Sequence, residues 1–115
     1  MKAALKAGAD VNARDEDGQT AFMEAASFNE NPDVVKALTA AGADVNARDE
    51  IGTTALMYAA LSNINPNVIK VLLAAGADKY ARNGSLRAID YLEIRDDKFV
   101  FSKTSAYWEM RELLY

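Results

Sequence analysis

The apolar positions of this chain recur in two short segments, 21–26 and 55–60. In both, apolar side chains are spaced at i, i+3 and i+4, the spacing of one helix face. Each segment follows a threonine, Thr20 or Thr54, in the position of a helix N-cap. The pattern therefore predicts two short amphipathic helices with defined starts.

Two longer apolar segments follow, each with a clear start and stop. They begin at Asn-Pro pairs, where proline suits the first helical position because its missing N–H would be unpaired there anyway. They end before Gly42 and Gly76, which we expect in the left-handed conformation beyond a helix end. Turns rich in Asp and Gly precede the short helices. The predicted unit is a turn, a short helix, a loop and a longer helix, with turns at 15–18 and 49–52 and Asn-Pro pairs at 31–32 and 65–66.

This unit recurs because the sequence repeats itself with an offset of 34 residues. Residues 10–43 and 44–77 are identical at 23 of 34 positions. A third copy opens at Asp78 and then diverges, and residues 1–9 match the second helix of a unit. One unit cannot bury its apolar face alone, so stacking must supply the core. We expect a partial repeat over 1–9, full repeats over 10–43 and 44–77, and a degenerate capping repeat over 78–115.

The unit resembles the ankyrin repeat. Its motifs are Asp-x-x-Gly-x-Thr, an Ala-Ala pair, Val-Val-Lys-x-Leu, and Ala-Gly-Ala-Asp-Val-Asn-Ala. The resemblance covers residues 1–82 and implies an all-α solenoid of stacked helix-turn-helix units with turn tips. It also implies protein binding without catalysis, through the concave groove formed by the tips and first helices. The segment Ala106-Tyr107-Trp108 is similar to the terminal segment of some bacterial ankyrin proteins.

The chain departs from the family pattern in three respects, one of which is the loss of about one residue near residues 83–86 of the third unit. The usual Pro-Leu-His stands as Ala21-Phe22-Met23 and Ala55-Leu56-Met57, so we expect apolar contacts in place of the family's histidine hydrogen bonds. The period is 34 residues instead of about 33, with the extra residue before the proline of the second helix.

The two ends of the array differ. Residues 79–115 hold seven of the ten aromatic side chains, and we predict helices over about 87–95 and 104–114 joined by a long connector. At the other end, Met1 falls inside a second helix. Either the chain is a fragment of a longer array, or it starts here and a weak homodimer covers an open face. That face would lie around Phe22, Ala25 and Ala26.

The composition narrows the possible chemistry. The chain has no cysteine and no histidine, which excludes disulfides, thiol nucleophiles, His-based triads and Cys/His zinc sites. Its net charge of −4 argues against nucleic-acid binding, and no apolar run reaches the roughly 20 residues of a membrane span. The carboxylates cluster in turns predicted to be exposed. We therefore predict no enzyme, no catalytic, cofactor or metal site, and a cytoplasmic protein.

Candidate partner-binding residues come from positions where the two full repeats disagree, since packing does not fix them. Phe28, Ile51 and Leu61 are apolar at sites predicted to be exposed, which suits interface anchors. An equally open alternative is that Phe28 and Leu61 pack against the connectors of adjacent repeats. The candidates of this kind are Asp17, Gln19, Ser27, Phe28, Ile51, Thr53, Tyr58, Leu61 and Ser62.

Three further candidates, Arg14, Arg48 and Arg82, recur at one repeat position and should form a ladder along the turns. We favour ion pairs with neighbouring carboxylates; the alternative is an anchor row for acidic groups of a partner. The expected carboxylates are those of Asp15, Asp49 and Glu50.

The sequence thus predicts a module that binds another protein, whose identity it leaves open. The first alternative is a structural or self-associating segment of a larger ankyrin scaffold. A more distant one is an enzyme regulator that docks through the aromatic C-terminal segment.

Overall fold

A computed structural model of the chain describes residues 10–95, 101 and 104–115. Within these residues it contains helices and no extended strand, with isolated bridges at Arg48–Thr54 and Asn83–Leu86. The all-α fold class is confirmed. The helices are α1 (Ala21–Phe28), α2 (Pro32–Ala40), α3 (Ala55–Ser62), α4 (Pro66–Ala74), α5 (Ala88–Ile94) and α6 (Ser105–Leu114).

The local signals set the helix ends as predicted. Thr20 Oγ1 accepts a hydrogen bond from the backbone N–H of Met23 at 3.3 Å, and Thr54 caps α3 in the same way. Proline occupies the first turn of α2 and of α4. Gly42 and Gly76, with φ of +97° and +101°, follow those helices in the left-handed region. The predicted caps and glycine stops are confirmed.

The helices form two rows. In the inner row α1 packs on α3 and α3 on α5, and in the outer row α2 packs on α4 and α4 on α6. The core lies between the rows. Met23 and Met57, which stand where the family pattern has histidine, are fully buried in it. The expected replacement of histidine hydrogen bonds by apolar contacts is therefore confirmed.

Side-chain amides join successive units at the ends of the outer helices. Asn12 Nδ2 donates to the Gly42 carbonyl at 3.1 Å, and the Asp44 N–H donates back to Asn12 Oδ1 at 2.7 Å. Asn46 repeats both bonds one unit later, at Gly76 and Asp78. These bonds satisfy a carbonyl and an N–H group in the turn that follows each outer helix.

A second connection, at the ends of the inner helices, was not predicted from the sequence. The side chain of buried Asn63 donates to the carbonyls of Ala26 and Asn29, both at 2.9 Å. One unit later, buried Arg95 donates from Nη1 to the carbonyls of Ala60 at 3.1 Å and Asn63 at 2.9 Å. Each side chain therefore ties its own unit to the inner helix before it.

The predicted open face in the first full repeat is wrong. Phe22, Ala25 and Ala26 are all buried, where α1 packs against α3 and α2. Small alanine side chains let the helices approach closely enough to enclose them. Residues 1–9 and most of the connector 96–103 lie outside the described residues, so the predictions made for them stay predictions.

Candidate binding surface

The turn tips are held in shape by aspartates. Asp15 Oδ1 accepts hydrogen bonds from the backbone N–H groups of Asp17 and Gln19, and Asp49 does the same for Ile51 and Thr53. The Glu50 N–H donates to the Asp17 carbonyl at 3.1 Å, which joins one tip to the next. The tips are thus ordered before any partner arrives.

The three predicted ladder arginines bind carbonyl oxygens. Arg14 Nη1 donates to Gly18 at 2.8 Å and to the Arg48 carbonyl one unit later. Arg48 repeats this with Gly52 and Arg82, and Arg82 bonds Ser85. In the part of the chain that the structure describes, none of them forms an ion pair.

The favoured pairing of these arginines with Asp15, Asp49 or Glu50 is therefore wrong. The aspartates turn their Oδ1 atoms toward the tip N–H groups, and Nη1 of each arginine donates to a tip carbonyl instead. The three arginines do form the predicted ladder along the turns, but they hold backbone carbonyls in place and do not pair with carboxylates. We call these contacts the arginine clamps.

The twelve candidate partner-binding residues differ in how far their side chains are exposed. Phe28 is 76% exposed and Ile51 72%, so the alternative in which Phe28 packs against a connector is wrong. Gln19, Tyr58 and Leu61 are half-buried. The remaining exposed candidates are Arg14, Asp17, Arg48, Ser62 and Arg82.

Two candidates are not at the exposed positions expected for them. Thr53 is 3% exposed because its N–H binds Asp49 and its hydroxyl accepts from Asn83 Nδ2 at 3.3 Å. Ser27 is also 3% exposed, since it lies on the side of α1 that faces α3. Its hydroxyl makes no hydrogen bond with any residue that the structure describes.

Six of the twelve candidates meet in one depression, here called the notch. It measures about 200 Å³ and lies between the two inner helices of the full repeats. Met23, which was not a candidate, forms part of its wall. The notch is lined by Gln19, Met23, Ser27, Phe28, Tyr58, Leu61 and Ser62.

Tyr58 is fixed in the notch wall by two hydrogen bonds. Its hydroxyl donates to Asp49 Oδ2 and accepts from Gln19 Nε2 at 3.0 Å. Burial raises the pKa of Tyr58, and its hydrogen bond to the Asp49 carboxylate raises it further. Asp49 was not a candidate for partner binding because the same residue, Asp15, stands at this position one repeat earlier, although its partner Tyr58 is Glu24 there.

The raised pKa of Tyr58 predicts how the stability of the protein changes at alkaline pH. The folded protein holds the Tyr58 proton more tightly than the unfolded chain does. The resulting stabilisation is therefore full below about pH 10 and is lost as the pH rises through the folded-state pKa. In an ultraviolet absorbance titration, Tyr58→Phe should remove a tyrosine ionisation that lies above the ordinary pKa of about 10. Loss of an early ionisation instead would contradict this.

Other chemistry is not visible in the described residues. No group of three or more His, Cys, Asp or Glu side chains there is placed to hold a metal ion. Among the same residues, no helix is long and apolar enough to cross a membrane.

The fold and its repeated tips agree with a comparison against protein families. The model for ankyrin repeats, in three copies, matches residues 1–83. The chain belongs to the ankyrin repeat family. Ankyrin repeats generally act as protein–protein interaction modules and are generally not enzymes. No curated protein matches the chain.

Proposed function

We propose that the chain binds a protein partner through the groove formed by its turn tips and inner helices. The observation that carries this is the exposure of Phe28 and Ile51 at positions where two nearly identical repeats disagree. Large apolar side chains exposed among polar neighbours are typical interface anchors. Packing within the array does not explain why a large apolar side chain stands at either position.

The rigidity of the surface supports the same function. The Asp15 and Asp49 tip bonds and the arginine clamps fix the backbone beneath the exposed side chains. A surface ordered in advance loses little conformational entropy on binding, so more of the contact energy appears as affinity. The acidic tips also make a nucleic acid or an anionic membrane surface a poor partner.

Two substitutions test the proposal. Phe28→Ala and Ile51→Lys should each weaken binding to a partner captured from the source cell by about tenfold or more, as loss of an interface anchor does. Each should change the free energy of unfolding by less than about 0.5 kcal/mol, because these side chains make few core contacts. Calorimetry with the purified partner and urea unfolding measure the two effects.

Tyr115→Ala is the matched control, because Tyr115 is 73% exposed but lies at the other end of the array. It should leave affinity unchanged. Equal losses in all three variants, or none, would place the interface elsewhere. The alternative of a self-associating segment loses its original support, since the face expected to be open is buried. Fractionation of cells expressing the full-length protein tests the cytoplasmic location, which is also part of the proposal.

A further inference from the structure

The polar atoms of the notch that remain unused include two hydrogen-bond acceptors. One hydrogen of Gln19 Nε2 is donated to Tyr58, and the Tyr58 hydrogen is donated to Asp49. The acceptors left are Gln19 Oε1 and the Ser27 hydroxyl, which has no partner among the described residues. The second Nε2 hydrogen and the Ser62 hydroxyl also line the notch. An unpaired buried hydroxyl costs free energy that a ligand donor would recover.

The walls of the notch are apolar. Met23, Phe28 and Leu61 line it alongside the polar groups. A side chain with an aliphatic stem and a hydrogen-bond donor at its end suits such a mixed lining. The stem covers the apolar surface while the head reaches the polar atoms. Lysine and arginine have that design.

The charge around the notch favours a cation. Residues 10–77 carry ten acidic side chains and four basic ones, and two of the basic ones, Lys36 and Lys70, lie on the outer helices. Glu24 and Glu30 line a second depression that shares Phe28 with the notch. Phe28 therefore shares a depression with two acidic residues, and negative charge there favours a cation near the exposed ring.

From these three observations we infer that the notch receives an arginine or lysine side chain from a basic segment of the partner. The stem packs on Met23, Phe28 and Leu61, and the head donates to Gln19 Oε1 and Ser27 Oγ. The rim side chains rotate to admit it, since the Ser27 hydroxyl lies at the floor. The inference rests on the proposed function and adds the chemistry of the partner.

Selection from a random peptide library displayed on phage, against the full chain, tests the inference directly. The enriched peptides should share an arginine or lysine, and their affinity should fall as salt rises. In a synthetic copy of the best peptide, replacing that residue with norleucine should weaken binding about tenfold, as loss of a charge-assisted hydrogen bond does.

Variants of the chain then locate the cation. Ser27→Ala should weaken the peptide several-fold without lowering stability, because it removes an unpaired buried hydroxyl. Ser62→Phe narrows the notch with the residue that the preceding repeat carries at the same position, and should abolish binding. Ser62 is exposed, so the fold should tolerate the change, which circular dichroism checks. Glu24→Gln should weaken the peptide, whereas the control Glu112→Gln on α6 should not.

The outcomes separate this inference from the proposed function. Enriched peptides without a required cation, but weakened by Phe28→Ala, overturn the inference and leave the groove as the binding surface. Peptides indifferent to Phe28→Ala and Ile51→Lys contradict both. Failure to enrich any peptide overturns the inference, because a single basic segment should suffice, and leaves the test with the captured partner to decide the proposed function.

Discussion

Replacing Arg95 with alanine should lower the free energy of unfolding by about 3 kcal/mol, the largest effect expected of any polar residue here. Arg95 is buried, and its guanidinium donates to the carbonyls of Ala60 and Asn63. It also lies 4.1 Å from the centroid of the Phe101 ring. Alanine leaves two buried acceptors without these donors and opens a gap beside the ring.

Urea unfolding of the variant measures this loss, and Arg111→Ala is the matched control. Arg111 makes an ion pair with Glu93 at 3.2 Å, with side chains 42% and 35% exposed. Such a partly exposed pair contributes at most about 1 kcal/mol. Arg95→Lys should lose part of this stabilisation too, since lysine has no planar guanidinium to lie against the Phe101 ring. If Arg95→Ala were no worse than Arg111→Ala, the two hydrogen bonds of Arg95 would contribute little to holding the third unit.

Replacing Gly18 with alanine should cost about 2–3 kcal/mol. Gly18 has φ of +76°, and a Cβ there would lie 3.0 Å from both the backbone nitrogen and Cγ of Glu50. The side chain of Glu50 can move. Its backbone nitrogen is fixed, because its N–H donates to the Asp17 carbonyl. The substitution therefore combines left-handed strain with a backbone contact between two tips.

Gly42→Ala separates the two contributions. Gly42 has φ of +97°, but a Cβ there would meet no heavy atom within 4 Å. Its cost should be that of the left-handed conformation alone, about 1 kcal/mol. Thermal unfolding of the two variants gives the comparison. If Gly18→Ala and Gly42→Ala lost the same stability, the close contact between the two tips would contribute nothing to the cost of Gly18→Ala.

The fold could be predicted from the sequence wherever the determining signal is local. A threonine cap, an Asn-Pro start and a glycine stop act within a few residues, so α1 to α4 begin as expected and α2 and α4 stop as expected. Arg95 was missed because its role depends on carbonyls more than 30 residues away. It also lies in the unit whose sequence has diverged from the repeat.

For the candidate binding surface, the sequence predicted the exposure of some residues correctly and of others wrongly. Disagreement between repeats correctly marked Phe28 and Ile51 as exposed. The same criterion misplaced Ser27 and Thr53, because a position also varies when its packing neighbour varies. Thr53, for example, binds Asn83, whose counterpart one repeat earlier is Asp49. Burial in a stack depends on the adjoining unit as well as on the repeat itself.

The joints between units have a consequence for how such an array lengthens. Arg14 clamps the Arg48 carbonyl as Arg48 clamps that of Arg82, and Asn63 serves the first unit as Arg95 serves the second. Each of these joints links one unit to the next, and residues 44–77 carry both halves of it. A tandem duplication of that segment would offer each new neighbour a matching donor and acceptor. Lengthening by gene duplication therefore meets no hydrogen-bonding barrier, and a longer groove is within reach of a single genetic event.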